Sequence, residues 1–210
     1  MARKKRNLLT LGAIGFAILL FIILGIFQTE KSHKTIALAH EGPGSGTPSI
    51  GGIFELVDMN GKVWKDTDFK GKPMLIYFGY SYCPHICPQA LSHMTQAVEE
   101  LGGSRVIQPV FVSIDPERDT LDSLKGFAQN FHKDFIMLTG SKDQVQQALK
   151  SYRVYAAKAS ENGGGNDYQM DHSSLIYLMD KKGEYVAHFD HQSPSDDIVK
   201  RVKLFLENGN

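Results

Sequence analysis

The stretch Ser81-Tyr82-Cys83-Pro84-His85-Ile86-Cys87-Pro88 decides how this 210-residue chain is read. It follows the apolar run Pro73-Met74-Leu75-Ile76-Tyr77-Phe78, which lacks alternation and so predicts a strand covered on both faces. The stretch holds the sequence's only two cysteines, four positions apart and each followed by proline. Proline biases the residue before it away from helix. Pro88 suits the first position of a helix, which makes Cys87 the expected cap. Both sulfurs are thus expected on a loop at a helix N-terminus, where partial positive charge favours thiolate. Two close thiolates can form a disulfide or hold a soft metal such as Cu(I) or zinc. Redox motifs of this kind separate their cysteines by two residues; here there are three, and the motif leaves both chemistries open.

Working outward, the composition narrows the class. Lysine plus arginine and aspartate plus glutamate stand at 23 each, so no net field draws the chain to nucleic acid. With both cysteines in one motif, none remains for a structural disulfide framework. The core is therefore expected to hold by burial, for which about 160 residues suffice.

Arg3-Lys4-Lys5-Arg6 precedes a charge-free run from Asn7 to Phe27. A run of about 20 residues matches a hydrocarbon core. It is longer than a signal-peptide core, and the small-residue stretch Ala37-Leu38-Ala39 lies well downstream of it. Residues 1–27 therefore read as a basic cytoplasmic tip and one transmembrane anchor, with the rest outside the cytoplasm. No presequence pattern is visible, so the reading is a single-pass protein of the bacterial inner membrane facing the periplasm, with the mitochondrial inner membrane as the alternative. Residues 28–48 contain Gly42-Pro43-Gly44-Ser45-Gly46-Thr47-Pro48 and read as a flexible linker, in which His33 and His40 are solvated.

Residues 49–210 read as one domain. Asn60-Gly61 between apolar runs predicts an N-terminal β-hairpin. Met74–Gly79 is the central strand and Pro88–Leu101 a helix. Val106–Ile114 is a second strand, with Pro109 at a bulge or irregular start. Helices are expected over Leu121–Phe131 and Asp143–Ser151, strands over Phe135–Leu138, Ser174–Met179 and Glu184–Phe189, an extended piece over Arg153–Ala157, and a last amphipathic helix over Ser195–Leu206. Glu161–Asp167 reads as a glycine-rich mobile loop. This order suits an α/β fold with a central mixed sheet and helices on both faces, a thioredoxin-like arrangement preceded by the anchor. The cysteine loop and the loop Asp115–Thr120 both follow strands and should share one sheet edge.

A three-coordinate site needs one donor beyond the sulfurs, and imidazole is the common one. Of eight histidines, His85 lies between the prolines and is not expected to turn inward with both cysteines. His93, His132, His188 and His191 fall on a helix, in turns or at strand ends. His172, just before the strand Leu175–Met179, stands where a thioredoxin-like protein carries a proline facing the cysteines, and it is the candidate ligand.

Four pieces in order resemble the SCO (synthesis of cytochrome oxidase) family: Gly51-Gly52-Ile53-Phe54-Glu55-Leu56 with Gly61, Tyr80 to Pro88, Asp115-Pro116-Glu117-Arg118-Asp119-Thr120, and Asp171-His172-Ser173. The resemblance implies Cys83, Cys87 and His172 as copper ligands, for Cu(I) and Cu(II), with Asp171 as an acidic neighbour that modulates binding. It also implies delivery of copper to the binuclear copper centre of cytochrome c oxidase. The oxidase's copper-bearing subunit, a copper donor chaperone and a thiol reductant are the implied partners.

The rival reading is an enzyme, a thiol–disulfide reductase or redox sensor with Cys83 attacking and Cys87 resolving. A peroxidase, which needs a lone reactive cysteine, suits the paired prolines poorly. Asp119 or Thr120 is expected to cap the helix from Leu121, Tyr80 and Tyr82 to pack beside the loop, and Met170 and Met179 to belong to the core; Arg118 could face an acidic partner surface, which the sequence does not decide.

Overall fold

The computed structural model describes residues 50–159 and 168–208. The expected anchor, the whole of the linker and the loop over 161–167 lie outside them. Among the described residues no helix is long and apolar enough to cross a membrane.

The chain opens with the expected hairpin. Strands β1 (Glu55–Asp58) and β2 (Val63–Lys65) pair with Leu56 opposite Trp64. Gly61 adopts φ 83°, the left-handed conformation that such a turn needs. Asp58 closes the turn, accepting from the Asn60 and Lys62 amides and from the Trp64 indole.

Strand β3 (Met74–Gly79) is buried at every position, as its unbroken apolar run requires. It leads into helix α1 (Ile86–Leu101), then β4 (Gln108–Ser113), helix α2 (Leu121–Ala128), β5 (Ile136–Thr139) and helix α3 (Lys142–Ser151). After these come the short strands β6 (Ala156–Lys158) and β7 (Met170–His172), the pair β8 (Leu175–Met179) and β9 (Tyr185–Asp190), and helix α4 (Ser195–Glu207).

Seven strands form one mixed sheet in the order β2-β1-β5-β4-β3-β8-β9. The inner strands β3, β4 and β5 are parallel, and the outer pairings are antiparallel. Strand side chains alternate between faces. On one face Tyr77 and Gly79 meet α1 through Cys87. On the other, Phe78 packs on Tyr152 at the end of α3, ring centroids 5.0 Å apart. Both faces are thus covered, the thioredoxin-like α/β arrangement expected. The parallel strands point their carboxyl ends to one edge, and the cysteine loop and the Asp115 loop lie there together.

Two expectations change. Pro109 does not bulge β4; it pairs in register opposite Leu75. The Gln108 side-chain amide donates to the Asp134 carbonyl at 2.8 Å, supplying a donor beside the position where proline has none. The ribbon β6–β7 was not expected as a unit. It forms a separate two-stranded sheet with Ala156 opposite His172. Its strands are too short, at three residues each, to carry a readable alternation.

Because the Gln108 amide donates to that carbonyl, Gln108→Ala should lower stability by about 1 kcal/mol. In urea unfolding this appears as a lower midpoint with an unchanged slope.

Candidate metal centre

The site begins at the end of β3. Gly79 faces α1 with no side chain, and an added Cβ would lie 2.8 Å from the Cys87 sulfur and 2.8 Å from the Tyr77 ring. Glycine is needed here for close approach rather than for a turn. The Tyr77 hydroxyl donates to Cys87 Sγ at 3.7 Å, so the strand fixes this sulfur from two successive same-face positions.

Helix α1 starts earlier than expected. His85 is its N-cap, and Cys87 lies in the first turn, not at the cap. Pro88 is accommodated because the first-turn N–H groups have no intrahelical partners to lose. The Cys87 amide instead donates to Cys83 Sγ at 3.3 Å. The Cys83 sulfur thus occupies the anion position of the helix N-terminus, as expected, while Cys87 is fully buried within the helix.

This geometry separates the two thiols. The Cys83 thiol is held well below its ordinary value of 9.0 by the Cys87 thiol donating to it and by first-turn backbone N–H groups, against the effect of burial. The Cys87 thiol is pushed up by that same hydrogen bond, by burial and by the neighbouring thiolate. Both are free cysteines. Of the pair, Cys83 is the sulfur that ionises first and Cys87 the one that keeps its proton longer.

His172, the last residue of β7, comes to the same point, its Nε2 3.6 Å from Cys87 Sγ. Its Nδ1 lies 3.2 Å from the Ser173 carbonyl, which can only accept, so Nδ1 carries the proton and Nε2 presents a lone pair. Burial lowers its pKa from the ordinary 6.5, which favours the neutral, ligating form. The ring stands edge-on to Tyr77 and Tyr80, at 6.1 and 6.0 Å between centroids.

A thiolate and an imidazole about 2.3 and 2.05 Å from one ion, at an angle of about 110–120°, lie roughly 3.6–3.8 Å apart. The Cys87–His172 separation of 3.6 Å meets that spacing. Among the described residues no three His, Cys, Asp or Glu side chains converge on one point as around a bound ion. The Cys83 sulfur is engaged by the helix amide instead. Two sulfurs and an imidazole suit a soft or borderline ion.

A cleft of about 440 Å³ opens over these groups, lined by Cys83, Pro84, His85, Tyr155, Asp171 and His172 among others. Asp171 is exposed on β7, and its charge opposes the loss of the His172 proton. His85 lines the cleft as an exposed residue and is not drawn to the sulfurs, as expected. Met170 packs on the core, and Met179 is buried in it.

The loop 115–120 differs from its sequence reading. Thr120 caps α2, its hydroxyl accepting from the Ser123 amide, which was one of two alternatives. Asp119, the other, is buried and accepts from the Ser81 amide, the Ser81 hydroxyl and the Ser113 hydroxyl. Arg118 turns inward. Its side chain is 8% exposed and paired with Asp115 at 2.5 Å. Tyr77 and Gly79 were not singled out as site residues, although their two-residue spacing before the cysteines places them on one face of the strand.

A family model described as SCO1/SenC matches residues 42–207. The chain belongs to the SCO1/SenC family. It is 40% identical over 155 residues to the SCO2-like protein RP587 of Rickettsia prowazekii, covering 73% of this chain and 76% of that one. Among solved structures it is similar to Bradyrhizobium japonicum ScoI with copper bound, with TM-score 0.68, 38% identity, and coverage of 74% of this chain and 99% of that one. It is also similar to BsSco, described as a member of the Sco family of cytochrome c oxidase assembly proteins in which a disulfide switch was identified. There the TM-score is 0.59 and the identity 28%, over 76% of this chain and 95% of that one. The resemblance drawn from the four sequence pieces is therefore correct at the level of the family.

Two outcomes follow from the geometry. With the Cys83 pKa depressed, its thiolate persists as pH falls from 9.0 toward the lowered folded value. Any stability that this thiolate contributes is complete above 9.0 and is lost as pH falls through the lowered value. Iodoacetamide at pH 7, followed by peptide mass spectrometry, should therefore label Cys83 well before Cys87; equal labelling would contradict the assignment. Gly79→Ala should displace Cys87 Sγ and destabilise the fold by about 1–3 kcal/mol, read by denaturation together with slower metal uptake.

Proposed function

We propose that this chain is a copper metallochaperone for assembly of the binuclear copper centre of cytochrome c oxidase, holding Cu(I) or Cu(II) through Cys83, Cys87 and His172. The observation that carries the reading is the 3.6 Å approach of His172 Nε2 to Cys87 Sγ beside a second sulfur stabilised as thiolate. The copper-bound ScoI among its structural relatives supports copper over zinc. Cys83 and Cys87 supply the two soft donors that Cu(I) favours, and His172 adds the nitrogen that makes Cu(II) acceptable. Cys87 must give up its proton on loading, so acid opposes binding. Asp171 tunes the site by its charge beside His172 rather than by contact with the ion.

In this reading residues 1–27 anchor the protein in a bacterial inner membrane and residues 28–48 tether the domain, residues 49–210, in the periplasm. The tether suits transfer to the membrane-bound copper-bearing subunit of the oxidase. A copper donor chaperone loads the site, and a thiol reductant keeps both sulfurs available. No nucleic acid takes part.

A second reading uses the same asymmetry. Cys83 thiolate attacks a disulfide in an oxidase subunit, forming a mixed disulfide and releasing one partner thiolate. Cys87 then loses its proton and displaces the second partner sulfur. The partner gains two electrons, and the Cys83–Cys87 disulfide is left for the reductant. The disulfide switch identified in BsSco favours keeping this reading in view.

Copper titration of the purified protein separates the two. The reduced protein should bind one copper per chain and the oxidised protein none. His172→Ala should retain Cu(I) through the sulfurs, lose the Cu(II) absorption bands and leave disulfide exchange unchanged. Retention of wild-type Cu(II) spectra by His172→Ala would overturn the ligand assignment.

A further inference from the structure

The ribbon β6–β7 carries His172 and lies outside the seven-stranded sheet, meeting it only at β8, three residues on, so the sheet ladder fixes the imidazole from one side alone. Its fastening is found on the loop 115–120. Arg118 Nε pairs with Asp115 at 2.5 Å, while Arg118 Nη1 donates to the Tyr168 carbonyl at 2.8 Å. The Tyr168 hydroxyl returns to Asp115 Oδ1 at 2.7 Å. The guanidinium lies 3.6 Å from the centre of the Tyr168 ring on the histidine side and 4.9 Å from the Tyr82 ring on the cysteine side. Beyond this, Tyr80 donates to Gln169 Oε1 at 2.8 Å and accepts from the Met170 amide. Every residue from Tyr168 to Met170, the approach to His172, is thus tied to the cysteine loop or to the loop 115–120.

We propose that Arg118, with Asp115 and Tyr168, is a positioning latch that holds the His172-bearing ribbon against the cysteine loop and so sets the imidazole at bonding distance from the sulfurs. The proposal rests on His172 being a copper ligand. Arginine suits the task because a planar fork can hold a carboxylate, a carbonyl and two aromatic faces at once, which a lysine ammonium cannot. The pairing is buried, Arg118 at 8% and Asp115 at 2% side-chain exposure. Solvent therefore screens it far less than the exposed Lys158–Glu117 pair at 2.7 Å, which joins the same loop to β6. The latch touches no metal-binding atom. It acts through the backbone from Tyr168 to His172.

The test uses the full-length protein in detergent, with Arg118→Lys and Tyr168→Phe as the variants and Glu117→Gln as the surface control. In the metal-free protein, amide exchange at Met170 and Ser173 should accelerate about tenfold or more in both variants. Carbethoxylation of His172 by diethyl pyrocarbonate should quicken in parallel, with exchange in β3 and β4 unchanged. Titration with Cu(I) should still give one ion per chain. The Cu(II) charge-transfer bands should weaken or shift in the variants but not in Glu117→Gln. Wild-type exchange and His172 reactivity in both variants would overturn the latch, as would a loosened ribbon with an unaltered Cu(II) spectrum. Uniform loss of protection through β3 and β4 in both variants would mean a fold requirement and would also overturn it. The ligand reading fails separately, if His172→Ala leaves the Cu(II) spectrum intact, because exchange in the metal-free protein does not depend on it.

Discussion

A side chain is missing where β3 ends, and the site depends on that absence. Gly79 lets the Cys87 sulfur reach a strand that any Cβ would push it away from. From this contact the rest follows. Cys87 is held in the first turn of α1, its amide turns to the Cys83 sulfur, and that sulfur takes the place of an anion at the helix start. The hydrogen bond between the two thiols lowers one and raises the other. The asymmetry arises from burial depth, hydrogen bonding and the charge of one sulfur on the other, without any basic side chain beside the sulfurs among the described contacts.

The imidazole has a different kind of support. The sulfurs stand on the central strand and a long helix, both part of the buried core. His172 stands on a three-residue strand paired with another of equal length. Asp119 braces the cysteine loop through Ser81, while Asp115 and Arg118 brace the approach to His172. One six-residue loop therefore sets both arms. Burying two carboxylates there carries a desolvation cost, and serine and tyrosine hydroxyls, the Ser81 amide and the Arg118 fork offset it.

The parts legible in the sequence are those governed by short-range rules. The apolar run of β3, the Asn60-Gly61 turn and the proline-flanked cysteines each state their local structure, and together they gave the fold and the sulfur pair. Helix ends slipped by one to three residues, as at Ile86, where a cap competes with proline bias over a single turn, and at Ala128. The ribbon β6–β7 was not legible. Its strands are stabilised by ties to Tyr80, Asp115 and Arg118, and no local pattern encodes a contact that spans 50 or more positions. The inward turn of Arg118 was missed for the same reason: an arginine in a polar loop reads as exposed until its buried carboxylate and aromatic partners are seen.

The contrast between the arms bears on how such a site can release what it holds. A chaperone must bind tightly enough to exclude stray ligands, yet hand its cargo on without crossing a high barrier. If all three donors were fixed in the core, a partner's ligand could enter only by distorting packed structure. Here the two sulfurs are fixed, whereas the imidazole is carried by a ribbon outside the main sheet. The cleft above is rimmed by the exposed side chains of Ile86 and Tyr155. Displacing one nitrogen donor leaves a two-sulfur site, a coordination that Cu(I) tolerates better than Cu(II). On the proposed assignment, holding Cu(II) depends on the ribbon being closed, whereas Cu(I) can be passed on after it has moved.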